Sequence, residues 1–171
     1  NDAQGAYQYE GKEYVGKHPH VENGFTCKSC HDVHELEVKT EACATCHGTE
    51  DVEAIRFTSG DPVDYDGDGD TSEGIAGEIA TLADALYTQL QTYAAANGGA
   101  LSYDGLAYPY FFGADGKQYA TWTPRQLKAA FNYQYSQKDP GAFAHNAKYI
   151  IQILIDSIED LGGDVAAYTR P

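Results

Sequence analysis

The spacing of apolar side chains predicts a long helix near the middle of the chain. Apolar residues recur there at intervals of three or four, which is the period of an α-helix that buries one face. These residues are Ile75, Ile79, Leu82, Leu86, Leu90 and Tyr93. Asn97-Gly98-Gly99 follows, and glycine commonly lies just beyond the end of a helix. We therefore predict a helix from about residue 75 to about residue 97.

Two further helices are predicted by a capping residue followed by proline. Thr123-Pro124 and Asp139-Pro140 each place a side-chain acceptor before a proline, which is favoured in the first turn of a helix. After the second pair, apolar residues again recur at intervals of three and four. They are Phe143, Ala147, Ile150, Leu154, Ile158 and Leu161. We predict one helix after each pair, ending near Ser136 and near Leu161.

The remaining segments lack this helical period. Residues 1–26 are rich in Gly, Tyr and His, and the alternation from Tyr7 to Val15 is compatible with a strand or a hairpin. Residues 100–122 are rich in Tyr, Phe and Gly, which predicts a packed loop with a short hairpin. We expect a mainly α fold in one compact unit. An irregular segment occupies 1–60, and about three helices with long loops occupy 61–171.

Composition and charge narrow the classes of function. The 171 residues include 26 acidic and 11 basic side chains, for a formal net charge of −15. This charge opposes binding to nucleic acid or to an anionic membrane surface. No apolar run approaches the roughly 20 residues that span a bilayer, so no membrane span is expected. The first residue is Asn1 rather than Met, which we interpret as a mature chain exported to the periplasm or beyond the cell.

All four cysteines lie in two copies of one short motif. The copies are Cys27-Lys28-Ser29-Cys30-His31 and Cys43-Ala44-Thr45-Cys46-His47. Cys-x-x-Cys-His is the pattern of covalent c-type haem attachment. Two thiols three positions apart can add to the two vinyl groups on one edge of a porphyrin, and the next imidazole then reaches the iron. A zinc ribbon or two disulfides would also use four cysteines, but neither requires histidine after each pair.

Through these motifs, residues 18–48 resemble the multihaem c-type cytochromes. The resemblance implies two haems attached by thioether bonds, with the histidine of each motif as the proximal iron ligand. The thioether residues are then Cys27, Cys30, Cys43 and Cys46, and the proximal ligands are His31 and His47.

The chain offers no methionine for the far side of either iron. Met/His ligation raises the potential of a haem, so each iron is expected to be low-potential and bis-His, or open. Two distal ligands are expected from the four remaining histidines, which are His18, His20, His34 and His145. The last of these lies near the start of the final predicted helix, where it is either an iron ligand or a hydrogen-bonded surface residue.

The upstream and intervening histidines are assigned by resemblance and by spacing. Histidines before the first motif resemble the distal ligands of small low-potential multihaem cytochromes, so we favour His18 or His20 for the haem of His31. On a helix, His34 would share a face with His31 and could not bind the same iron. We therefore expect His34 to serve the haem of His47, with a solvated loop residue as the alternative.

An acidic, glycine-rich stretch precedes the first long helix. Asp64, Asp66, Asp68 and Gly69 match the first six positions of an EF-hand loop, in which alternate carboxylates converge on calcium. The twelfth position is Ile75 rather than glutamate, so the full motif is absent. Candidate calcium ligands are Asp64, Asp66, Asp68, Asp70 and either Glu73 or Glu78. A solvated acidic loop without an ion is the alternative.

Electron transfer is the predicted function, and no catalytic residue is assigned. Two low-potential bis-His haems would carry single electrons outside the cytoplasm, to redox partner proteins or extracellular acceptors. The surplus of histidines and the unpatterned N-terminal tail also suggest head-to-tail association into a filament, which resembles the extracellular cytochrome wires. The alternative is a peroxidase-like dihaem enzyme or gas sensor with one open iron position.

Overall fold

The computed structural model describes residues 4–16, 20, 25–56 and 62–171 and is mainly α, which confirms the predicted fold class. The described helices are α1 Cys27–Cys30, α2 Glu41–His47, α3 Ile75–Asn97, α4 Pro124–Lys138 and α5 Ala142–Asp160. A 3-10 turn covers Val52–Ala54, and the antiparallel strands are β1 Leu101–Tyr103 and β2 Phe111–Gly113. None of the helices in these ranges is long and apolar enough to cross a membrane.

The three long helices α3, α4 and α5 pack against one another and form the core. The stripe predicted on α3 faces inward, and its Leu82, Leu86 and Leu90 are fully buried. The α5 helix is buried on more than its predicted stripe, since Ile151 and Ile153 are fully buried as well. Burying one such side chain contributes roughly 1.5–3 kcal/mol. The hydrophobic core therefore lies in the helical part of the chain.

The helix boundaries show where local sequence signals act and where they fail. The α4 helix begins at Pro124 as predicted, and the Thr123 hydroxyl accepts the backbone N–H of Gln126 at 3.1 Å. The α5 helix begins at Ala142, later than the Asp-Pro signal predicts, and is interrupted at Asn146 (φ −162°, ψ 66°). The Asp139 carboxylate does not cap α5 and instead accepts hydrogen bonds in the turn that holds His145, described below.

Residues 4–16 lie against α4 and α5 without forming the paired strands that alternation suggested. The chain reverses at a turn, where the Lys12 N–H donates to the Tyr9 C=O at 3.2 Å. Gln4 Nε2 donates to the Val15 C=O at 2.8 Å.

The Asn132 amide binds both backbone groups of Tyr7: its Oδ1 accepts the N–H at 2.7 Å, and its Nδ2 donates to the C=O at 3.0 Å. The Val15 N–H donates to Gln152 Oε1 at 2.9 Å. Side-chain amides of the helices thus satisfy backbone groups that a partner strand would otherwise satisfy.

The C-terminal residues join three parts of the fold. Arg170 donates two hydrogen bonds to the buried Asp156 carboxylate, at 2.8 and 3.0 Å, and one to the Glu13 C=O at 2.7 Å. The Thr169 N–H donates to the Tyr65 C=O at 3.0 Å. The end of the chain therefore ties the N-terminal segment and the acidic loop to α5.

The predicted packed loop at 100–122 contains the short hairpin of β1 and β2. Tyr103 lies opposite Phe111 in this pair. Trp122 then packs edge-on against Phe111 and Tyr119, with ring centres 5.4 and 4.8 Å apart. Several aromatic side chains of residues 100–122 thus pack against one another in this part of the fold.

Candidate haem-binding site

The first Cys-x-x-Cys-His motif forms a short, capped helical turn, α1. Thr26 and Ser29 cap it reciprocally: the Ser29 N–H donates to the Thr26 C=O at 2.9 Å, and the Thr26 N–H donates to Ser29 Oγ at 3.1 Å. The turn ends at His31, whose backbone is extended and whose N–H donates to the Cys27 C=O at 2.9 Å. Cys27 is exposed and Cys30 is half-buried. One short segment thus holds two accessible thiols and an imidazole.

The second motif lies within α2, which ends at His47. A tight loop connects the two motifs, in which the Lys39 N–H donates to the Cys30 C=O at 2.8 Å. Burial raises the pKa of the Cys43 thiol, and the nearby Cys30 thiol raises it further. The two cysteine pairs therefore lie next to each other in the fold.

Residues 25–56, which we call the haem-binding segment after the function that its two motifs predict, have little core of their own. Neither α1 nor α2 contains a buried residue, and Phe25 and Val33 are each 52% exposed. All four cysteines are free. In the described part of the chain, no three Cys or His ligand atoms converge as a zinc site requires. The segment fits large prosthetic groups that would cover its apolar side chains.

Each motif histidine has a second imidazole beside it. The ring centres of His31 and His145 are 6.2 Å apart, and those of His20 and His47 are 6.1 Å apart. Two imidazoles on opposite faces of one iron have ring centres roughly 6 Å apart, because each metal–nitrogen bond is about 2 Å long and each centre lies about 1 Å behind its nitrogen. The spacing of both pairs therefore fits one metal ion between the rings.

The His145 ring is held by a turn just before it. Both Asp139 carboxylate oxygens lie 2.8 Å from His145 Nδ1, and the carboxylate also accepts the Gly141 N–H at 3.0 Å. Because a carboxylate only accepts, Nδ1 carries the proton and Nε2 is left for a metal. A Cβ on residue 141 would lie 2.8 Å from His145 Cε1, so glycine gives the ring its room. Neither support is evident from the sequence, because Asp139-Pro140 also fits a helix start.

A cavity of about 500 Å³ lies beside this turn. One wall is formed by Asp139, Pro140 and Phe143, and Glu53 of the haem-binding segment also borders it. On the side formed by α3 and the residue before it, five of the lining residues are small and the sixth is Ile79; the small ones are Gly74, Ala76, Gly77, Ala80 and Ala83. Small side chains leave space for a flat group, and the volume lies within the range of ligand pockets. The cavity lies beside the turn that holds His145, but no histidine and no cysteine is among its described lining residues.

These pairs differ from the assignment made on sequence. Either His18 or His20 was favoured for the haem of His31, but the His20 ring lies beside His47, and the ring beside His31 is that of His145. His145 comes far later in the chain, so its approach to His31 depends on how α5 packs and leaves no local signal. His18 lies outside the described residues.

His34 does not share a helical face with His31, so the reason for assigning it to the haem of His47 is wrong. The α1 helix ends at Cys30, and an exposed turn follows. The Asp32 carboxylate forms this turn by accepting the N–H groups of His34 at 2.8 Å and Glu35 at 3.1 Å. His34 therefore lies in a solvated turn.

The acidic stretch brings its carboxylates together in two overlapping groups. Carboxylate oxygens of Asp64, Asp66 and Asp68 lie within 4.8 Å of one another, and so do those of Asp66, Glu73 and Glu78. Burial raises the pKa of Asp66. Burial also raises the pKa of Glu73 to about 7, and the charge of Asp66 adds to the effect.

Asp70, a candidate calcium ligand on sequence, belongs to neither group. The Ser72 hydroxyl and backbone N–H both donate to its Oδ1, at 2.6 and 2.7 Å, and lower its pKa. Glu78, only an alternative on sequence, is fully buried beside Asp66. In the sequence, the position of Glu78 on the first turn of α3, directly after the acidic stretch, indicated that it could join the carboxylates.

Comparisons with known proteins identify no relative: no family model, no curated protein and no solved structure matches the chain. Functional inference therefore rests on the two motifs and on the geometry around them.

Proposed function

We propose that this protein is an electron-transfer cytochrome with two covalently attached c-type haems, each with two histidine ligands, acting outside the cytoplasm. The two imidazole pairs carry the proposal, with ring centres 6.2 Å apart for His31 and His145 and 6.1 Å apart for His20 and His47. Each pair combines the histidine of one motif with a histidine from elsewhere in the chain. A protein with two bis-His haems needs one such pair of histidines for each iron.

The chain's own residues attach the haems, bind the irons and orient the ligands. Each cysteine pair tethers one haem, and the histidine that follows it approaches the iron from the same short segment. Asp139 holds the Nδ1 proton of His145 and so directs Nε2 towards the metal, which makes Asp139 a positioning residue. The small side chains of α3 leave the space beside it. When bound, each haem supplies a one-electron ferric/ferrous couple.

Saturated coordination supports electron transfer over catalysis. Two imidazoles per iron leave no position for oxygen or peroxide, and haem enzymes need such a position. Imidazole ligation and the net charge of −15 both favour ferric over ferrous haem, so we expect low potentials. A dihaem enzyme or sensor becomes the better account only if one pair fails to bind iron.

The charge also bears on partners. A surface with this excess of carboxylates attracts redox partners with basic surfaces, and the attraction weakens with salt. Association into a filament stays a prediction. Residues 4–16, one basis for that hypothesis, contact α4 and α5 of the same chain.

Single histidine substitutions test the ligand assignment. The full chain is produced in a host that attaches c-type haem, and carbon monoxide is added to the reduced protein. We expect His145→Ala and His20→Ala each to open one iron, so that about half of the haem absorbance shifts on carbon monoxide addition.

His34→Ala is the matched control, since it removes an exposed imidazole from the same segment and should leave both irons closed. The assignment fails if His34→Ala opens an iron while His145→Ala or His20→Ala does not. If no variant binds carbon monoxide and each retains two low-spin haems, the pairs are not ligands.

A further inference from the structure

Two groups of carboxylates meet at one buried residue, Asp66. It belongs both to the group with Asp64 and Asp68 and to the group with Glu73 and Glu78, and within each group the oxygens lie within 4.8 Å of one another. Oxygens that share a calcium ion, each bound at about 2.3–2.6 Å, lie at most about 5 Å apart. Each group is therefore compact enough by itself to surround a cation, and Asp66 belongs to both.

Two oxygens at this point are buried without a hydrogen-bond partner. Asp66 is 4% exposed and its Oδ1 accepts the Asp68 N–H at 3.1 Å; the Thr81 side chain lies close to the carboxylate, but Oδ2 has no partner within hydrogen-bond distance. Glu73 Oε1 is buried and also has no partner. A buried carboxylate oxygen without a partner is costly, and native proteins rarely leave one unsatisfied. Both oxygens point to a ligand at this position.

Among the described residues, only one basic side chain forms an ion pair with these carboxylates, and its partner is Glu78. Arg56 pairs with Glu78, with Nη2 2.7 Å from Oε1, and also donates to the C=O groups of Val63 and Glu73. Glu78 Oε2 accepts the N–H groups of Tyr65 and Asp66, at 2.8 and 3.0 Å. The charge of Glu78 is therefore neutralised by Arg56. Asp64, whose oxygens accept the N–H groups of Gly67 and Gly69, has no such ion pair among the described residues.

The other four carboxylates form what we call the acidic cluster, made up of Asp64, Asp66, Asp68 and Glu73. Among the described residues, no ion pair supplies any of them with a basic side chain. Several carboxylates this close repel one another strongly unless a cation lies between them. A multivalent cation would remove the repulsion and satisfy both orphaned oxygens.

We propose that the acidic cluster binds one calcium ion, with Asp66 and Glu73 as the buried ligands and Asp64 and Asp68 as the outer ones. The ligand set consists of oxygen only, which suits calcium or magnesium and not zinc. Calcium accepts six to eight ligands in irregular geometry, as a flexible loop provides, whereas magnesium demands a near-ideal octahedron. Glu73 contributes a carboxylate from a position that the EF-hand pattern does not use.

The site lies where the haem-binding segment meets the helices. Arg56, the last described residue of that segment, binds Glu78 of α3. Gly74 approaches the Glu53 backbone so closely that a Cβ there would overlap the Glu53 C=O. Glu53 and Gly74 also border the cavity next to His145. Calcium would therefore hold together the junction that closes one side of this cavity.

Calcium binding is tested on the full chain with its haems attached, after treatment with a chelator and removal of the chelator. Titration calorimetry with calcium chloride should give one site per chain, and magnesium chloride should bind more weakly. Even outer-shell substitutions weaken metal binding by 10–100-fold, so Asp66→Asn and Glu73→Gln should weaken calcium binding by about 100-fold or more.

Asp104→Asn is the matched control. Asp104 is exposed and its Oδ1 accepts the Leu106 N–H at 2.9 Å, as in the turns of the cluster, but it lies outside both carboxylate groups. It should bind calcium like the unmodified chain. If Asp66→Asn does not fold, the exposed Asp68→Asn replaces it. Absence of calcium binding, equal binding by all variants, or tighter binding of magnesium would each overturn the proposal. Because calorimetry does not depend on the haem ligands, this outcome is separate from that of the carbon monoxide test.

Discussion

At the scale of single residues, the structure adds supports that the motifs do not contain. His145 would be an ordinary helical histidine without Asp139, whose two oxygens lie 2.8 Å from its Nδ1. The close approach of Gly141 fixes where the ring lies. The two Cys-x-x-Cys-His motifs can be recognised in the sequence because their spacing is local. The supports could not, because an Asp-Pro-Gly turn has several other uses.

Asp139→Asn tests whether this carboxylate tunes one haem. An anionic acceptor makes the imidazole a stronger donor and stabilises ferric iron, so its loss should raise the potential of the haem that His145 is proposed to bind. We expect a rise on the order of tens of millivolts in that haem only, measured by potentiometric titration. Asp104→Asn is the control for removing one negative charge. Equal shifts of both haems, or none, would contradict a positioning role.

At the scale of elements, the period of apolar residues predicted helices correctly where one face of the helix is buried. The α3 helix spans residues 75–97 as its apolar stripe predicts, and α4 begins at its predicted cap. The N-terminal segment was not predictable in this way. Its backbone partners are Asn132 and Gln152, side chains from distant helices that local alternation cannot show.

Asn132→Ala should loosen the N-terminal segment, because it leaves both backbone groups of Tyr7 and the Ser157 hydroxyl without their amide partner. We expect a loss of about 2 kcal/mol in the free energy of unfolding, measured by denaturant titration. Hydrogen exchange should rise over residues 4–16. Asn97→Ala, at the exposed end of α3, is the control. An effect no larger than that of the control would show that other contacts hold the segment.

At the scale of the whole molecule, two unlike parts of the chain contact each other. The helical part has a dense core, whereas α1 and α2 bury no residue. The haem-binding segment meets the helices through His31 with His145 and through Arg56 with Glu78. One contact would be bridged by haem iron, and the other lies beside the proposed calcium site. The same junction would then hold one of the haems and stabilise the contact between the two parts of the chain.

Visible spectroscopy of the reduced, unmodified full chain, before and after carbon monoxide addition, tests the central claim most directly. The account predicts two covalently bound haems per chain and no spectral change with carbon monoxide, because every iron has two imidazole ligands. A chain that acquires no haem where c-type haem is attached, or a carbon monoxide shift at either haem, would contradict it.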